Sequence, residues 1–580
     1  MKKRNAFPFL TIILMSAMTL VHAQQSNQSL NSKLIDEYKT LISEKMQIKN
    51  IVGVGAALIL GDSVWKEGFG YADKENKVSF TTSTSMAIGS ITKVFTAMGV
   101  MQLQEKKLLN INEPLIEYLP QFKVQTRGIS IKEITVKSLI QHTSGLPRDF
   151  ILNIWNSDEN YTNTVDYIKS KYLAFPPNMV FHYSNVGYTL LGHTIFNVSK
   201  QDYPAFIKKN ILEPSDMNNS GFLNYSPLKN ISKTYDTAGI YMPLKTGNDL
   251  PAGALFSTVD DMVKFAREII SIYHGKNNGF IKPETLKLIE RSHSNNIENI
   301  NTCLGWDVFK NDSCLIISHF GSYHLTNAAI AIDLKRKNAI IFFANTVGGM
   351  ELVADAFAKF QEISGVTAAD YVQQQLQKDT KIEKKSIVKQ YANAGMYVNT
   401  NEIHTVSIEN KQLVLKSSYG DFRLSPVSNN EFIPGIILTR DSIRWLTKSR
   451  FIFTNVRGYH LLFWQDANNK RQLLGQQVIP RKVNKIWIKR LGTYKLDGFK
   501  LEGWEQYSKF ELSLTNNHLL MLKVFCTTGE YFYYLRLINV NELVICGFGE
   551  LGGETLDFSK DGKYDRMKFM GLPLKKILNK

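Results

Sequence analysis

The chain of 580 residues is 44% hydrophobic and 21% charged, and its formal net charge is +17. The length predicts more than one domain, and the composition is typical of a soluble globular protein and excludes long disorder. Lys and Arg are scattered rather than clustered with aromatic residues, which gives no support to nucleic-acid binding and is compatible with a weak association with an anionic cell envelope.

The N-terminal residues have the pattern of a secretion signal. Lys2, Lys3 and Arg4 precede an apolar stretch at residues 7–20, and small residues stand before Gln24. The stretch is short for a bilayer span, and no later run is apolar enough to cross a membrane. We therefore predict a signal peptide at residues 1–23 and an exported protein, periplasmic or extracellular, with no transmembrane segment after signal removal.

Residues 24–365 show strand patterns at both ends and helical patterns in the middle. The first predicted elements are a helix at residues 26–49 and a hairpin of strands at residues 51–60 and 63–71. The last are strands at residues 303–309, 314–319, 326–333 and 339–344 and a helix at residues 351–363. This order predicts an α/β (α+β) domain, with one antiparallel sheet flanked by helices and a helical insertion.

The C-terminal part of the chain contains a weak internal repeat. Residues 366–388 are polar and Lys-rich, which is typical of a linker. Short strand patterns follow in two copies, one opening near Tyr397 and the other near Tyr494. We predict two small all-β, lipocalin-like barrel domains, at residues 389–482 and 483–580.

The four cysteines do not form a recognisable framework. Their number is too small for a disulfide-rich fold, and their spacing matches no metal site. Export would permit pairing, and free buried thiols are the alternative that stays open. The residues concerned are Cys303, Cys314, Cys526 and Cys546. No metal site and no organic cofactor are implied by the sequence.

Ser90 and Lys93 stand three residues apart at the start of a helical pattern. Positions i and i+3 share a helix face, so Ser90 Oγ and Lys93 Nζ can meet. A serine hydroxyl becomes a nucleophile when a neighbouring base takes its proton, and a Lys whose pKa is lowered by burial can be that base. The same spacing follows Ser63, Ser226 and Ser386, so the pair indicates catalysis only together with other groups.

Tyr183 is the candidate for a second proton-transfer group. It follows a turn at residues 176–178 and precedes an apolar helical pattern. Tyr183 could exchange a proton with the serine if neighbouring cations lower its pKa. Asn185 could donate to a substrate carbonyl and bond Lys93. The alternative is that Tyr183 only packs in the core.

A third group of candidates follows the apolar strand pattern that ends at Ser318. Gly321 would let a ligand lie close to the backbone. The N–H groups of Ser322 and Ser90 could form an oxyanion hole, and His319 could bind a substrate carboxylate or orient the proton network. The alternative for His319 is an ordinary surface histidine beside a turn.

These groups, in this order, resemble the motifs of the class C β-lactamase-like serine hydrolases, a family that includes D-alanyl-D-alanine carboxypeptidases, D-aminopeptidases and some esterases. The resemblance covers about residues 30–365 and includes a stretch at residues 142–147, for which we expect a structural turn near the Ser90 helix. It implies a β-lactamase/penicillin-binding-protein-like catalytic domain. The motifs are Ser90-Ile-Thr-Lys93, Tyr183-Ser-Asn185 and His319-Phe-Gly321.

The resemblance implies an exported serine hydrolase that forms an acyl-enzyme on Ser90 and acts on D-amino-acid-containing peptides or amides. Lys93 and Tyr183 would be catalytic, and a coupled pair leaves open which of them is the base. The substrate-binding residues would be Asn185, His319, Gly321 and Ser322. His319 stands where class C β-lactamases carry Lys, which argues against efficient β-lactam hydrolysis.

Two alternatives for the function stay open. One is a β-lactamase or carboxylesterase that uses the same site, so the partner would be a small peptide, amide, ester or β-lactam. The other is a non-catalytic binding protein that uses the C-terminal barrels. The barrels themselves resemble those of D-aminopeptidase-type members of the family in architecture only. We also expect a barrel loop to overhang the site and limit substrate size.

Overall fold

The computed structural model describes residues 31–149, 160–244, 247–292, 296–297, 300–366, 390–399, 402–417, 420–428, 430–436, 449–466, 471–480, 483–497, 509–526, 529–548, 551–561 and 564–577. The predicted signal peptide and the predicted linker beyond Val366 lie outside these ranges. Among the helices in these ranges, none is long and apolar enough to cross a membrane.

Within the described residues, an eight-stranded antiparallel sheet forms the centre of the N-terminal domain, in the order β3-β2-β1-β13-β12-β11-β10-β9. Because β1 pairs with β13, strands from both ends of the domain join in one antiparallel sheet, as predicted, and they meet in its middle. The strands are, in chain order, β1 (Gly53–Leu60), β2 (Ser63–Asp73), β3 (Val78–Ser79), β4 (Met86–Ala87), β5 (Gly221–Phe222), β6 (Thr234–Tyr235), β7 (Tyr241–Met242), β8 (Leu255–Ser257), β9 (Thr302–Cys303), β10 (Trp306–Lys310), β11 (Leu315–Tyr323), β12 (Thr326–Asp333) and β13 (Asn338–Ala344).

Helices cover the sheet, and most of them lie between β4 and β9. Single 3₁₀ turns add to them, including the turn Gly89–Ile91. The α-helices are α1 (residues 31–48), α2 (Thr92–Glu105), α3 (Val136–Ile140), α4 (Thr164–Ile168), α5 (Asn185–Ser199), α6 (Tyr203–Ile207), α7 (Leu250–Gly253), α8 (Val259–Tyr273), α9 (Pro283–Leu286), α10 (Leu288–Arg291), α11 (Gly349–Ile363) and, between the barrels, α12 (Lys485–Arg490).

The central strands are buried on both faces. Along β12, Ile330 and Ile332 belong to the cluster that contains α2 and α8, whereas Ala329 and Ala331 belong to the cluster under α1 and α11. Successive side chains of a strand point to opposite faces, so a sheet with helices on both sides requires apolar residues at successive positions. This explains why these strands read as continuous apolar runs in the sequence.

Two strands differ from the prediction. The strand predicted at residues 314–319 continues to Tyr323, because β11 and β12 form a hairpin in which Tyr323 pairs with Thr326. Gly321 and Ser322 therefore lie within the strand, together with His319, and not after its end. The strand predicted at residues 303–309 is broken by a turn into β9 and β10.

The C-terminal part of the described chain forms two closed antiparallel barrels of eight strands each, which confirms the predicted barrels. Apolar side chains fill both interiors. The strands are β14 (Gly395–Val398), β15 (Ile403–Glu409), β16 (Gln412–Ser417), β17 (Gly420–Pro426), β18 (Glu431–Ile436), β19 (Arg450–Val456), β20 (Tyr459–Gln465), β21 (Arg471–Val478), β22 (Gly492–Leu496), β23 (Lys509–Leu514), β24 (Leu520–Cys526), β25 (Gly529–Leu537), β26 (Glu542–Ile545), β27 (Thr555–Asp561), β28 (Tyr564–Phe569) and β29 (Leu572–Lys576).

The sequence repeat corresponds to a repeated contact. In the first strand of each barrel, a buried tyrosine hydroxyl donates to the backbone carbonyl four residues earlier. Tyr397 donates to Asn393 O at 3.0 Å, and Tyr494 donates to Arg490 O at 2.6 Å. Each bond joins a helical turn to the barrel that follows it.

One segment of the N-terminal domain, residues 174–180, contacts both barrels. Its apolar side chains form a cluster with Ile452 and Leu461 of the first barrel and with Phe548 of the second. The rings of Phe175 and Phe548 stack at 5.5 Å. This segment immediately precedes Tyr183 along the chain, so the barrels pack beside the candidate site.

We expect Tyr397→Phe and Tyr494→Phe to destabilise their barrels by about 1 kcal/mol each, because each change removes one buried hydrogen bond and keeps the ring. Urea unfolding of the full chain measures the shift in each barrel's transition. Tyr225→Phe is the control, since Tyr225 is exposed. Unchanged transitions in both buried variants would show that these hydroxyls do not stabilise the barrels.

Candidate active site

Ser90 lies in the 3₁₀ turn that leads into α2, and Lys93 lies in the first turn of that helix. Lys93 Nζ donates to Ser90 Oγ at 3.1 Å and to Ala252 O, in α7, at 2.7 Å. The i, i+3 spacing therefore brings the two groups together as the sequence predicts. The Lys93 side chain is fully buried.

Burial lowers the pKa of Lys93 to about 7, because the ammonium form loses its hydration. The carboxyl groups of Asp249 and Asp149 act in the opposite direction and favour the charged form. Burial also raises the pKa of Asp249, whose Oδ1 has no hydrogen-bond partner among the described residues. Lys93 is thus poised between its protonated and neutral forms near physiological pH.

Tyr183 lies over Lys93, with Nζ 4.8 Å from the ring centroid. Arg148 lies 5.2 Å from the same centroid. Burial nevertheless raises the pKa of Tyr183, and a hydrogen bond with Ser90 and the charge of Arg148 offset this only in part. The net shift of this pKa is upward, so the lowered pKa on which proton exchange by Tyr183 was conditional is not found, and the hydroxyl keeps its proton.

His142 supports the Tyr183 ring. The two rings stack at 4.3 Å, and His142 Nδ1 accepts a hydrogen bond from Ser184 N at 3.0 Å. Burial and the charge of Lys93 hold the pKa of His142 well below its usual range, so its ring is neutral. The turn at residues 142–147 is therefore structural, as expected, and in direct contact with the candidate site.

Asn185 begins α5 two residues after Tyr183. Its side-chain Nδ2 donates to Asp149 Oδ1 at 2.7 Å, and among the described residues no hydrogen bond joins it to Lys93, in contrast to the prediction. Asp149 also contacts Arg148 Nε at 3.3 Å. Asn185 is therefore fixed by the loop that follows residues 142–147.

Strand β11 passes close to the Ser90 turn at Gly321. A Cβ atom at this position would lie 1.9 Å from Ile88 O and 3.1 Å from Ser90 N. A Cβ on Gly89, whose φ is +56°, would lie 2.5 Å from Ser322 N. Two glycines thus let the backbone at Ser90 and the backbone at Ser322 approach closely, which an oxyanion hole built from their N–H groups would require.

His319 lies on the same strand and is buried, not a surface residue. Its Nδ1 is 2.6 Å from Phe320 O. A carbonyl oxygen can only accept a hydrogen bond, so Nδ1 carries the proton and donates it to this bond. Burial and the charge of Lys93 lower the pKa of His319 to about 3. The neutral ring then carries its lone pair on Nε2, so this atom accepts hydrogen bonds and does not attract a carboxylate.

Sequence reasoning missed the acidic and basic groups around Lys93. Asp149, Arg148 and Asp249 come from loops whose approach to α2 is produced by tertiary folding, and no local pattern marks them. The four cysteines are free thiols. Within the described ranges, no cluster of three or more His, Cys, Asp or Glu residues could hold a metal ion.

A family model described as Beta-lactamase matches residues 39–364, which is more than half of the chain. The chain belongs to the β-lactamase family. The matched region contains the central sheet and all of the candidate site residues, and both barrels lie outside it.

Curated relatives of this β-lactamase-family protein match the same region. Protein flp of Staphylococcus aureus is 26% identical over 321 residues, which are 53% of this chain and 62% of that protein. Beta-lactamase-like protein 4 of Dictyostelium discoideum is 26% identical over 288 residues, which are 45% of this chain and 50% of that protein. The chain thus spans less than two thirds of the length of these relatives.

Solved structures match a larger part of the chain than the family model does. The octameric penicillin-binding protein homologue from Pyrococcus abyssi has a TM-score of 0.50 at 18% identity, covering 86% of this chain and 99% of that one. SurE, solved with D-Leu, has a TM-score of 0.50 at 20% identity, covering 76% and 99%. At these identities the likeness concerns the fold alone.

We expect Asp249→Asn to lower the pKa of Lys93 further, by about one to two units, because the variant removes a negative charge that favours the ammonium form. The ¹³Cε signal of labelled lysine, assigned with Lys93→Ala, follows the titration. Asp216→Asn is the control, since Asp216 pairs with Lys264 on the surface. A pKa that stays constant or rises in Asp249→Asn would contradict the assignment.

Proposed function

We propose that this chain is an exported serine hydrolase that forms an acyl-enzyme on Ser90 and acts on D-amino-acid-containing peptides or amides. The contact of 3.1 Å between Lys93 Nζ and Ser90 Oγ carries the proposal. Burial brings the pKa of Lys93 to about 7, so an amine able to accept the serine proton is available at physiological pH. The pattern of residues 1–23 supports export, which would leave Gln24 as the first residue in an intact-mass measurement.

In this mechanism Lys93 is the general base and Tyr183 is a proton donor. Ser90 Oγ forms a bond to the substrate carbonyl carbon while its proton passes to Lys93 Nζ. The N–H groups of Ser90 and Ser322 bind the oxyanion. The C–N bond then breaks, the leaving amine takes the Tyr183 proton, and Lys93 returns a proton to Tyr183. The raised pKa of Tyr183 favours this assignment, because its phenolate form is scarce.

Water completes the cycle by adding to the acyl carbonyl. Its proton passes to Lys93, the bond between Ser90 Oγ and the acyl carbon breaks, and the proton returns to Ser90. The acid product leaves, and the resting state is restored. Lys93 therefore takes up a proton and releases it once in each half of the cycle, first from Ser90 to Tyr183 and then from water to Ser90.

His319 favours substrates without a carboxylate next to the scissile bond. Its neutral ring presents an acceptor at Nε2, where a cation would be needed to bind a carboxylate. Amides and esters with a free amino group avoid this conflict, whereas β-lactams and peptide C-termini do not. The structure of SurE with D-Leu and the resemblance of the barrels to those of D-aminopeptidases support D-amino acids as the acyl group to test.

A turnover panel tests the proposal. It compares the p-nitroanilides of D-alanine and L-alanine, a D-Ala-D-Ala peptide, a chromogenic cephalosporin and a short-chain nitrophenyl ester. We expect the D-alanine amide to be preferred, Ser90→Ala to lower kcat/KM about a thousandfold or more, and Tyr183→Phe about a hundredfold or more. Ser63→Ala is the matched control, because Ser63 also has Lys three residues later and is exposed.

Three outcomes would contradict the proposal. Equal turnover by wild type and Ser90→Ala would remove Ser90 from the chemistry. Preference for the cephalosporin or the nitrophenyl ester would favour the β-lactamase or carboxylesterase alternative. A folded wild type that is inert toward the whole panel would favour the non-catalytic binding protein.

A further inference from the structure

Two loops meet on either side of Tyr183. Arg148 O, from the loop after residues 142–147, accepts from Asn185 N at 2.9 Å. His142 O accepts from His182 N at 2.7 Å. The residues before and after Tyr183 are therefore both tied to the same loop, and the position of Tyr183 depends on how firmly the two loops are held together.

A residue of the second barrel joins these two loops. Glu554, between β26 and β27, is 7% exposed. Its Oε1 accepts from Arg148 N at 2.7 Å and lies 3.3 Å from His182 Nε2, a ring that is also buried. One carboxylate oxygen thus contacts the loop at residues 142–149 and the loop that carries Tyr183.

The barrel holds Glu554 in this position. Ile545 N donates to Glu554 O at 2.9 Å, which fixes the residue to the end of β26. The preceding Gly553 has a φ of +76°, and a Cβ there would lie 2.5 Å from Ala174 O. The stack of Phe175 on Phe548 fixes the same contact from the other side. These contacts therefore fix the position of the second barrel relative to the catalytic domain.

We propose that Glu554 is a positioning residue that couples the second barrel to the reactivity of Ser90 by fixing the loops around Tyr183. The inference rests on the proposed function, because it assigns Tyr183 to proton transfer. Loss of the acceptor would leave the Arg148 N–H and the His182 ring without this buried partner, and the two loops would separate. Tyr183 would then lose its alignment with Ser90.

The contact predicts that Glu554 acts through the position of its Oε1 atom and not through the negative charge of its carboxylate. Both bonds end on the same oxygen, Oε1, and a glutamine at this position can offer an equivalent carbonyl oxygen to both donors. Glu554→Gln should therefore keep the two loops together. Glu554→Ala removes the acceptor oxygen. Glu554→Asp keeps a carboxylate but shortens the side chain by one methylene, which moves the oxygen away from both donors.

The test uses the full chain with four variants: Glu554→Ala, Glu554→Asp, Glu554→Gln and Glu542→Ala. Glu542 is the matched control, because this residue of β26 also faces the catalytic domain, with Oε2 3.8 Å from Arg127 Nη1, away from Tyr183. The readouts are kcat and KM on the best substrate of the panel, the melting temperature, and hydrogen exchange of the peptides that contain Arg148 and His182.

We expect Glu554→Ala and Glu554→Asp to lower kcat about tenfold or more with little change in KM, and to speed exchange in both peptides. Glu554→Gln should stay within about threefold of wild type, and Glu542→Ala should match wild type. If Glu554→Ala does not fold, the comparison of Glu554→Asp with Glu554→Gln tests the inference, because these two side chains differ only in length and in charge.

The inference is overturned if Glu554→Ala keeps wild-type kinetics and exchange, or if Glu554→Ala and Glu542→Ala lose activity equally. It is also overturned if Glu554→Gln is as impaired as Glu554→Ala, since the charge would then be the cause. Failure of the proposed function is distinct from these results, because it appears as turnover that Ser90→Ala retains, whereas the exchange measurement needs no turnover.

Discussion

The burial of Lys93 is the constraint on which the candidate site depends. An ammonium group without water is unfavourable unless its partners compensate for the lost hydration, and here the hydrogen-bond acceptors are Ser90 Oγ and Ala252 O. The remaining compensation comes from the charges of Asp249 and Asp149 and from a pKa lowered toward neutrality. Because α2 packs in the centre of the main core, the Ser90–Lys93 contact is fixed by the fold itself.

The other groups reach this pair through close backbone approaches. Gly321 of β11 lets the strand lie against the Ser90 turn. The ring of His142, in the turn at residues 142–147, stacks on the ring of Tyr183. The second barrel reaches the same loops through Glu554. This contact is buried among the supporting loops, and the expected barrel loop that overhangs the site and limits substrate size stays a prediction.

The sequence predicted the features that depend on local spacing. Ser90 and Lys93 meet because of helix geometry, the sheet follows from apolar strand runs at both ends of the domain, and the two barrels follow from the repeat around Tyr397 and Tyr494. Features made by tertiary folding were not predictable. Asp249 and Glu554 lie far from Ser90 along the chain, and the extension of β11 past His319 depends on its pairing with β12.

The most direct test of the account is to map where a D-alanine-like fluorophosphonate reacts with the full chain. Such a probe phosphonylates an activated serine irreversibly, so the adduct can be located by peptide mass spectrometry and compared with the remaining turnover. The account predicts one adduct, on Ser90, formed in proportion to the loss of turnover. Complete loss of turnover with Ser90 unmodified, or modification of a different residue in step with that loss, would contradict it.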